Sequence, residues 1–382
     1  HDGKARFVGE LPSVGYSVFH VAEGDVPKAG VCSTTRLMEN ALLRISFDAR
    51  GRIRRVFDKE NHRDVLTAGA VGNQFVLTED KPTRWDAWDV DVFHFDKILE
   101  KDGQLLSIRV LEQGPVRGVV RIKRRLSVST ITQDVILTAG SRRVDFETTV
   151  EWGAEDHVFL KVAFPVNVRA EKARYEIQFG NVERPTHWNR PQDLGMFEVP
   201  AQRWVDLSEG DYGVALLNNG KYGHSTRGHV LELSLLRAPK HPDPNADVNQ
   251  THRFTYSILP HTGSYANGVV RAGYELNIPI ETAIARAGKG PLPASSTWMG
   301  VSIPGIILEA VKKAEDDSGI IFRFYEAHGC RGTAYLSTSF KFTEVLETDL
   351  MENEEMSLPF KGGRVVLEFK PFQIRTLKFV WR

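Results

Sequence analysis

Apolar and polar residues alternate with a period of two through most of this chain. Leu42-Leu43-Arg44-Ile45-Ser46-Phe47 alternates, Asp48-Ala49-Arg50-Gly51 turns, and Ile53-Arg54-Arg55-Val56-Phe57 returns. This predicts a hairpin with a glycine near the position that needs positive φ. Similar runs recur at Ser107–Leu111, Gly118–Val128, Ile131–Leu137, Arg143–Glu151 and Phe159–Val166, with turn formers such as Ala139-Gly140-Ser141 between them. The best helical segment is Asn267–Tyr274, with an asparagine cap, ending before Asn277-Ile278-Pro279. So little helix excludes a doubly wound or α/β-barrel fold and predicts an all-β chain of antiparallel β-sandwiches.

Three segments are expected. Residues 1–30 form a small strand-bearing piece ending in the Gly24–Gly30 turn region around Pro27. A long sandwich occupies 31–290, and Ala287-Gly288-Lys289-Gly290-Pro291-Leu292-Pro293-Ala294-Ser295-Ser296 reads as a linker. Within 291–382, Ile320–Tyr325, Thr333–Leu336, Arg364–Phe369 and Ile374–Val380 suggest a smaller sandwich. The chain opens at His1 on residues that look like the end of a strand-rich segment, so a fragment of a longer protein is expected.

Composition narrows the function classes. With 49 basic and 49 acidic residues among 382, no global field favours nucleic acid or an anionic membrane. No apolar run approaches the ~20 residues that span a bilayer, and the opening residues do not read as a signal peptide. Two distant cysteines, Cys32 and Cys330, define no disulfide framework and fit intracellular thiols, so a cytoplasmic location is expected. The lone sequon Asn249-Gln250-Thr251 is read as chance.

The densest candidate chemistry lies in Trp85-Asp86-Ala87-Trp88-Asp89, after the turn signal Lys81-Pro82. Indole faces cover the C–H side of a pyranose, while carboxylates accept its hydroxyl hydrogens. In a plain strand Trp85 and Trp88 would point to opposite faces, so a loop or bulge is needed to unite them. The competing reading is a structural tryptophan corner with surface aspartates. A glycosidase acid–base pair needs a carboxylate separation of roughly 5–10 Å, which adjacency in sequence does not establish.

Other clusters carry less. Arg184–Pro191, with His187 and Trp188, and Phe197–Asp206 read as a loop covering a sheet face, with Trp204 in the core. Asn218–Ser225 is a glycine-bearing turn that includes Tyr222 and His224, and Pro239–Asp247 offers Asp243 and Asp247. No histidine or cysteine spacing matches a metal motif, so no metal site is expected from this chain alone. Nucleophile-elbow, P-loop and dinucleotide motifs are also missing.

In order, these stretches resemble the C-terminal β region of family 38 glycoside hydrolases, the class II α-mannosidases, in the branch holding cytosolic, bacterial and fungal enzymes. They are Leu11–Tyr16, Met38–Leu43, Val56–Lys59, Trp85–Asp89, Gly180–Thr186, Arg203–Ser208, Asp211–Asn218, Lys221–His224, Leu235–Pro239, Pro260-His261 and Pro371–Leu377, spread over essentially the full chain. The resemblance implies a large supersandwich similar to galactose mutarotase, with smaller β-sandwich pieces. It also implies that the catalytic aspartate and Zn²⁺ belong to an N-terminal barrel upstream of the matched region, so that this chain is inactive alone and carries no cofactor. The β region would pack on that barrel and close the α-mannoside pocket. Trp88 and Asp89, then Trp85 and Asp86, are the implied sugar-contacting set, with Tyr222, His224, Asp243 and Asp247 on the barrel-facing loops. Where lysosomal and Golgi branches carry a glycine-rich arginine motif, this chain has Asp243-Pro244-Asn245-Ala246-Asp247.

The alternative is a stand-alone carbohydrate-binding module in which Trp85 and Trp88 stack on sugar. A third reading, a mutarotase-like epimerase, would pair His187 with Glu183 or Glu198. Neither nucleic-acid nor membrane partners are expected, and self-association is left open.

Overall fold

A computed structural model describes residues 6–22, 30–286, 288 and 290–381. The predicted Gly24–Gly30 turn lies outside these residues except for Gly30, as do Ala287 and Lys289 of the predicted linker. The chain divides into two units. One holds Asp25–Glu176 and Val182–Pro279; the other holds the described residues of His1–Gly24, with Ile177–Asn181 and Ile280–Arg382.

The larger unit contains an antiparallel nine-stranded sheet. Its order is Gly180–Pro185 (of which 182–185 belong to this unit), Lys172–Ile177 (172–176), Trp204–Ser208, Tyr212–Asn218, Gln250–Thr262, Val144–Trp152, Ser129–Thr138, Arg117–Leu126 and Gln104–Gln113. A six-stranded sheet of Val199–Pro200, Gly223–Arg227, Val230–Arg237, Val158–Pro165, Gln74–Glu79 and Ile98–Lys101 lies against it. A five-stranded sheet between Cys32 and Asp64 joins the same core.

The period-two pattern is the cause of this architecture. Val144–Trp152 alternates strictly between buried and more open positions, as one core face and one solvent face require. Val158–Pro165 is buried nearly throughout, so both its faces are covered. Its inner residues meet the opposing sheet where Phe164 packs on Phe146, ring centroids 5.7 Å apart, and on Tyr256 at 6.2 Å. The buried Tyr256 hydroxyl donates to Asn73 Oδ1 (2.6 Å) and accepts from Gln133 Nε2 (2.8 Å), while Asn73 Nδ2 donates to Gln133 Oε1 (2.6 Å). That closed ring of three polar side chains spares the core an unsatisfied phenol.

The predicted hairpin forms, with Leu43–Phe47 pairing Ile53–Asp58. Gly51 has φ +67° and Asp48 Oδ1 accepts the amides of Arg50 and Arg52. Pairing of the edge strand Gln104–Gln113 with Arg117–Leu126 shifts register twice, between Val119 and Val120 and between Lys123 and Arg124. The helix is displaced from its prediction and spans Val269–Asn277 after Gly268 at φ +94°. Asn267 is not its cap, because its amide donates to the carbonyl and hydroxyl of Thr262.

The smaller unit builds a second core from a four-stranded and a five-stranded antiparallel sheet, centred on Phe322, Phe324, Leu336, Leu367 and Phe379. The all-β prediction holds for both units. Truncating Phe146 to Ala should cost about 3–5 kcal/mol, read as a lowered urea midpoint for the larger unit, because it vacates the centre of the Phe164–Tyr256 cluster.

Candidate functional site

Three strands of the larger unit, Gln74–Glu79, Val144–Trp152 and Val230–Arg237, end at one rim, where Val158–Pro165 and Gln250–Thr262 begin. The segments 80–97, 153–157 and 238–249 therefore gather there. The Trp-Asp segment is a tight turn rather than a strand: the amides of Trp88 and Asp89 both donate to the carbonyl of Trp85, at 2.8 and 2.9 Å. Trp85 sits at φ +55°, an unfavourable conformation for a bulky residue. The turn removes the parity obstacle. The two indoles stack with centroids 5.4 Å apart and planes 25° from parallel. Trp85 also stacks on His241, at 4.9 Å and 30°. Engaged by both rings, Trp85 remains 47% exposed, whereas Trp88 is 73% exposed and offers the more open indole face.

The carboxylates part company. Asp86 is buried and accepts the amides of Lys240 (2.6 Å) and His241 (2.8 Å), with His157 Nε2 at 3.5 Å from Oδ2. Burial alone would raise its pKa, but the two amides outweigh that and hold it below the usual aspartate value. Hydrogen bonds to a charged acceptor contribute roughly 1.5–3 kcal/mol each. Asp86 therefore fastens two loops and presents no free oxygen pair to a ligand, contrary to the sugar contact expected of it. Asp89 is exposed, with Oδ1 accepting the Val90 amide. Below it, buried Asp80 accepts Arg237 Nε at 2.7 Å. Burial raises its pKa despite that arginine.

Asp243 and Asp247 are exposed on the neighbouring loop, where Asp243 Oδ1 accepts the Asn245 amide. Tyr222 is exposed on the turn that also carries Lys221, whose ammonium lies 4.8 Å from the Phe254 ring centre. His224 is different. It pairs across strands with Leu233, is fully buried, and has Nε2 3.3 Å from Asn218 Nδ2. Burial and the nearby Lys161 charge push its pKa down to about 3. A neutral core imidazole replaces the surface contact expected there.

Lys161, which sequence reasoning passed over, is the centre of the outer face of the six-stranded sheet. Its fully buried ammonium lies 2.7 Å from Glu198, 2.9 Å from Glu232 and 2.8 Å from Ser225 Oγ, and 4.8 Å from the Phe95 ring centre. Ser225 in turn donates to Glu232 and Ser234 to Glu198. Burial works against the lysine's charge, but the two glutamates outweigh it and raise its pKa. Glu232 is held low by Lys161 and Ser225 against its own burial. The face is roofed by the 3₁₀ turn Val92–Asp96 and the segment 186–198, where Trp188 meets Phe95 edge-on at 5.5 Å and Arg227 lies over Trp188 at 4.2 Å. His94, buried in this roof, has its pKa pushed down to about 3, first by burial and then by Lys161.

The epimerase candidates are accounted for separately: in the roof Glu198 is taken by Lys161 and His187 lies 3.9 Å from Asp193, while Glu183, on the strand Gly180–Pro185, is taken by Lys172 and Arg174. No acid–base pair is assembled from them. Trp204 is core, stacked on Tyr265. At the opposite end of Val144–Trp152 a polar cleft of about 420 Å³ is lined by Arg143, Asp145, His261 and Arg271. Its charged walls are already paired: Arg143 with Asp145, His261 with Asp206, and Arg271 with Glu275. Among the described residues, no group of three His, Cys, Asp or Glu side chains is placed to hold a metal ion.

Residues 38–245 match the model of the glycosyl hydrolases family 38 C-terminal domain, and residues 305–377 match its C-terminal beta sandwich domain. The chain belongs to glycosyl hydrolase family 38. It is similar to alpha-mannosidase 2C1 of Homo sapiens, 42% identical over 352 residues that cover 90% of this chain and 33% of that protein. Alpha-mannosidase G of Dictyostelium discoideum is 37% identical over 358 residues, covering 90% of this chain and 32% of that protein. This family 38 chain thus spans about a third of the length of the curated relatives it matches. An alpha-mannosidase structure from Enterococcus faecalis V583 shares the fold, with TM-score 0.74 at 18% identity, over 94% of this chain and 43% of that one.

Lys161→Met should cost the family 38 chain about 3–5 kcal/mol in chemical denaturation, because it strands two carboxylates that are only 11% and 17% exposed. Adding Glu198→Gln and Glu232→Gln should recover most of that loss. The triad's contribution to stability is the wild type minus the triple variant. It should be flat between about pH 5 and 10, since Glu232 is depressed from 4.5 and Lys161 raised from 10.5. It should fall as pH drops through the folded Glu232 value, and again as pH rises through the folded Lys161 value.

Proposed function

We propose that this chain is the non-catalytic C-terminal β part of an α-mannosidase, and that its exposed indole rim completes a sugar pocket built mainly by an N-terminal zinc barrel outside these residues. The observation that carries the reading is the open face of Trp88, stacked on Trp85 and backed by His241 at the rim of the sandwich. A pyranose laid on that face would bury its C–H surface, with Asp89 on the same turn and Asp243 on the neighbouring loop to accept hydroxyls. The names of the relatives and the third of their length that this chain covers support the assignment. Both cysteines are free and exposed, which accords with a reducing compartment, and we place the protein in the cytoplasm.

The 73% exposure of Trp88 also supports a second reading, a carbohydrate-binding module that works alone. Calorimetry with methyl α-D-mannopyranoside separates the two. The pocket-wall reading expects no measurable heat from the isolated chain, whereas binding abolished by Trp88→Ala establishes the module. The chain alone should not turn over an aryl α-mannoside, and detectable release of the aryl group by pure protein would overturn the non-catalytic assignment.

A further inference from the structure

We propose that Asp86 is the positioning residue of the aromatic rim: it touches no ligand, but sets where Trp85, Trp88 and His241 stand. The inference rests on the reading of that rim as a binding surface only for its biological meaning; its physical content stands apart. Three hydrogen bonds join loops that lie more than 150 residues apart. Asp86 accepts the successive amides of Lys240 and His241, and the Ala87 amide returns the connection by donating to the His241 carbonyl at 3.0 Å. These bonds fix the backbone of His241 directly beneath the ring that it stacks on.

The turn needs that help. Trp85 is held in the left-handed region, which a bulky residue adopts only when its surroundings enforce it. Its neighbour Asp86 supplies the enforcement, since a buried carboxylate aimed at two amides leaves the main chain little rotational freedom. The partner loop is itself anchored, because Lys240 Nζ donates to the Glu155 carbonyl and Glu155 is held by the hydroxyls of Ser127 and Ser129. Movement is thus removed from both sides of the stack. Asparagine cannot substitute: it keeps one acceptor oxygen but turns an NH₂ donor toward an N–H donor.

Stacked indoles produce an exciton couplet in circular dichroism, and a chain with almost no helix leaves it visible. Trp88→Ala calibrates the signal by abolishing it. Asp86→Asn should lose most of the couplet amplitude while the protein stays folded, keeping its strand spectrum and a cooperative melt whose midpoint is lowered by several degrees. An unchanged couplet in folded Asp86→Asn overturns the proposal. Should that variant fail to fold, Asp86→Glu carries the test, since it keeps the charge but shifts the carboxylate by one methylene. A weakened couplet supports positioning and an unchanged one refutes it. Because no sugar enters the measurement, silence toward methyl α-D-mannopyranoside leaves this proposal standing, and binding by a variant with a collapsed couplet counts against the sugar reading alone.

Discussion

The strand Val158–Pro165 is buried on both faces, and much of the larger unit follows from that constraint. An antiparallel sheet ordinarily packs one face on the core and gives the other to water. Here the inner face meets the nine-stranded sheet, while the outer face bears Lys161 and needs both a roof and counter-charges. The roof comes from two irregular segments, 92–96 and 186–198, and the counter-charges come from Glu198 and Glu232. Because Glu198 lies at the end of the roof and Glu232 on the sheet, one ammonium joins cover to floor. Paired buried charges add little net stability over an apolar equivalent, yet they strongly penalise any arrangement that separates them.

The rim and the roof share a boundary at residues 80–96. Arg237 shows how they are linked: its guanidinium donates to buried Asp80 and to the carbonyl of Asp89, so the strand that carries Glu232 also holds the Trp-Asp turn from below. The exposed indoles therefore rest on a stiff foundation, although they occupy a loop.

Strands were the most legible part of the sequence. Where one face is wet, as in Val144–Trp152, alternation reports strand and orientation together. Val158–Pro165 hid its orientation because both faces are buried, and only a lysine among apolar residues marked the outer side. The turn at Trp85–Asp89 was legible as a need, since the strand parity of the two indoles conflicted with any shared role. Its solution was not legible, because the partner residues Lys240 and His241 are supplied by a loop remote in sequence. The same limit explains Asp86 and His224. Residue type suggested surface contacts, whereas long-range pairing turned one into an acceptor for main-chain amides and the other into a core imidazole. The helix was misplaced by two residues at its start because Asn267 found partners in Thr262 instead of the helix amides.

The two register shifts along Gln104–Gln113 have a consequence for how this protein survives at high concentration. In each shift the extra residue belongs to the edge strand, Leu106 in one and Leu111 in the other, and both side chains are exposed. A straight edge of ten residues with outward leucines would invite other chains to extend the sheet indefinitely. The bulges bend that edge and break the even spacing of its free amides and carbonyls, so this long exposed edge is poorly shaped to template the addition of further strands.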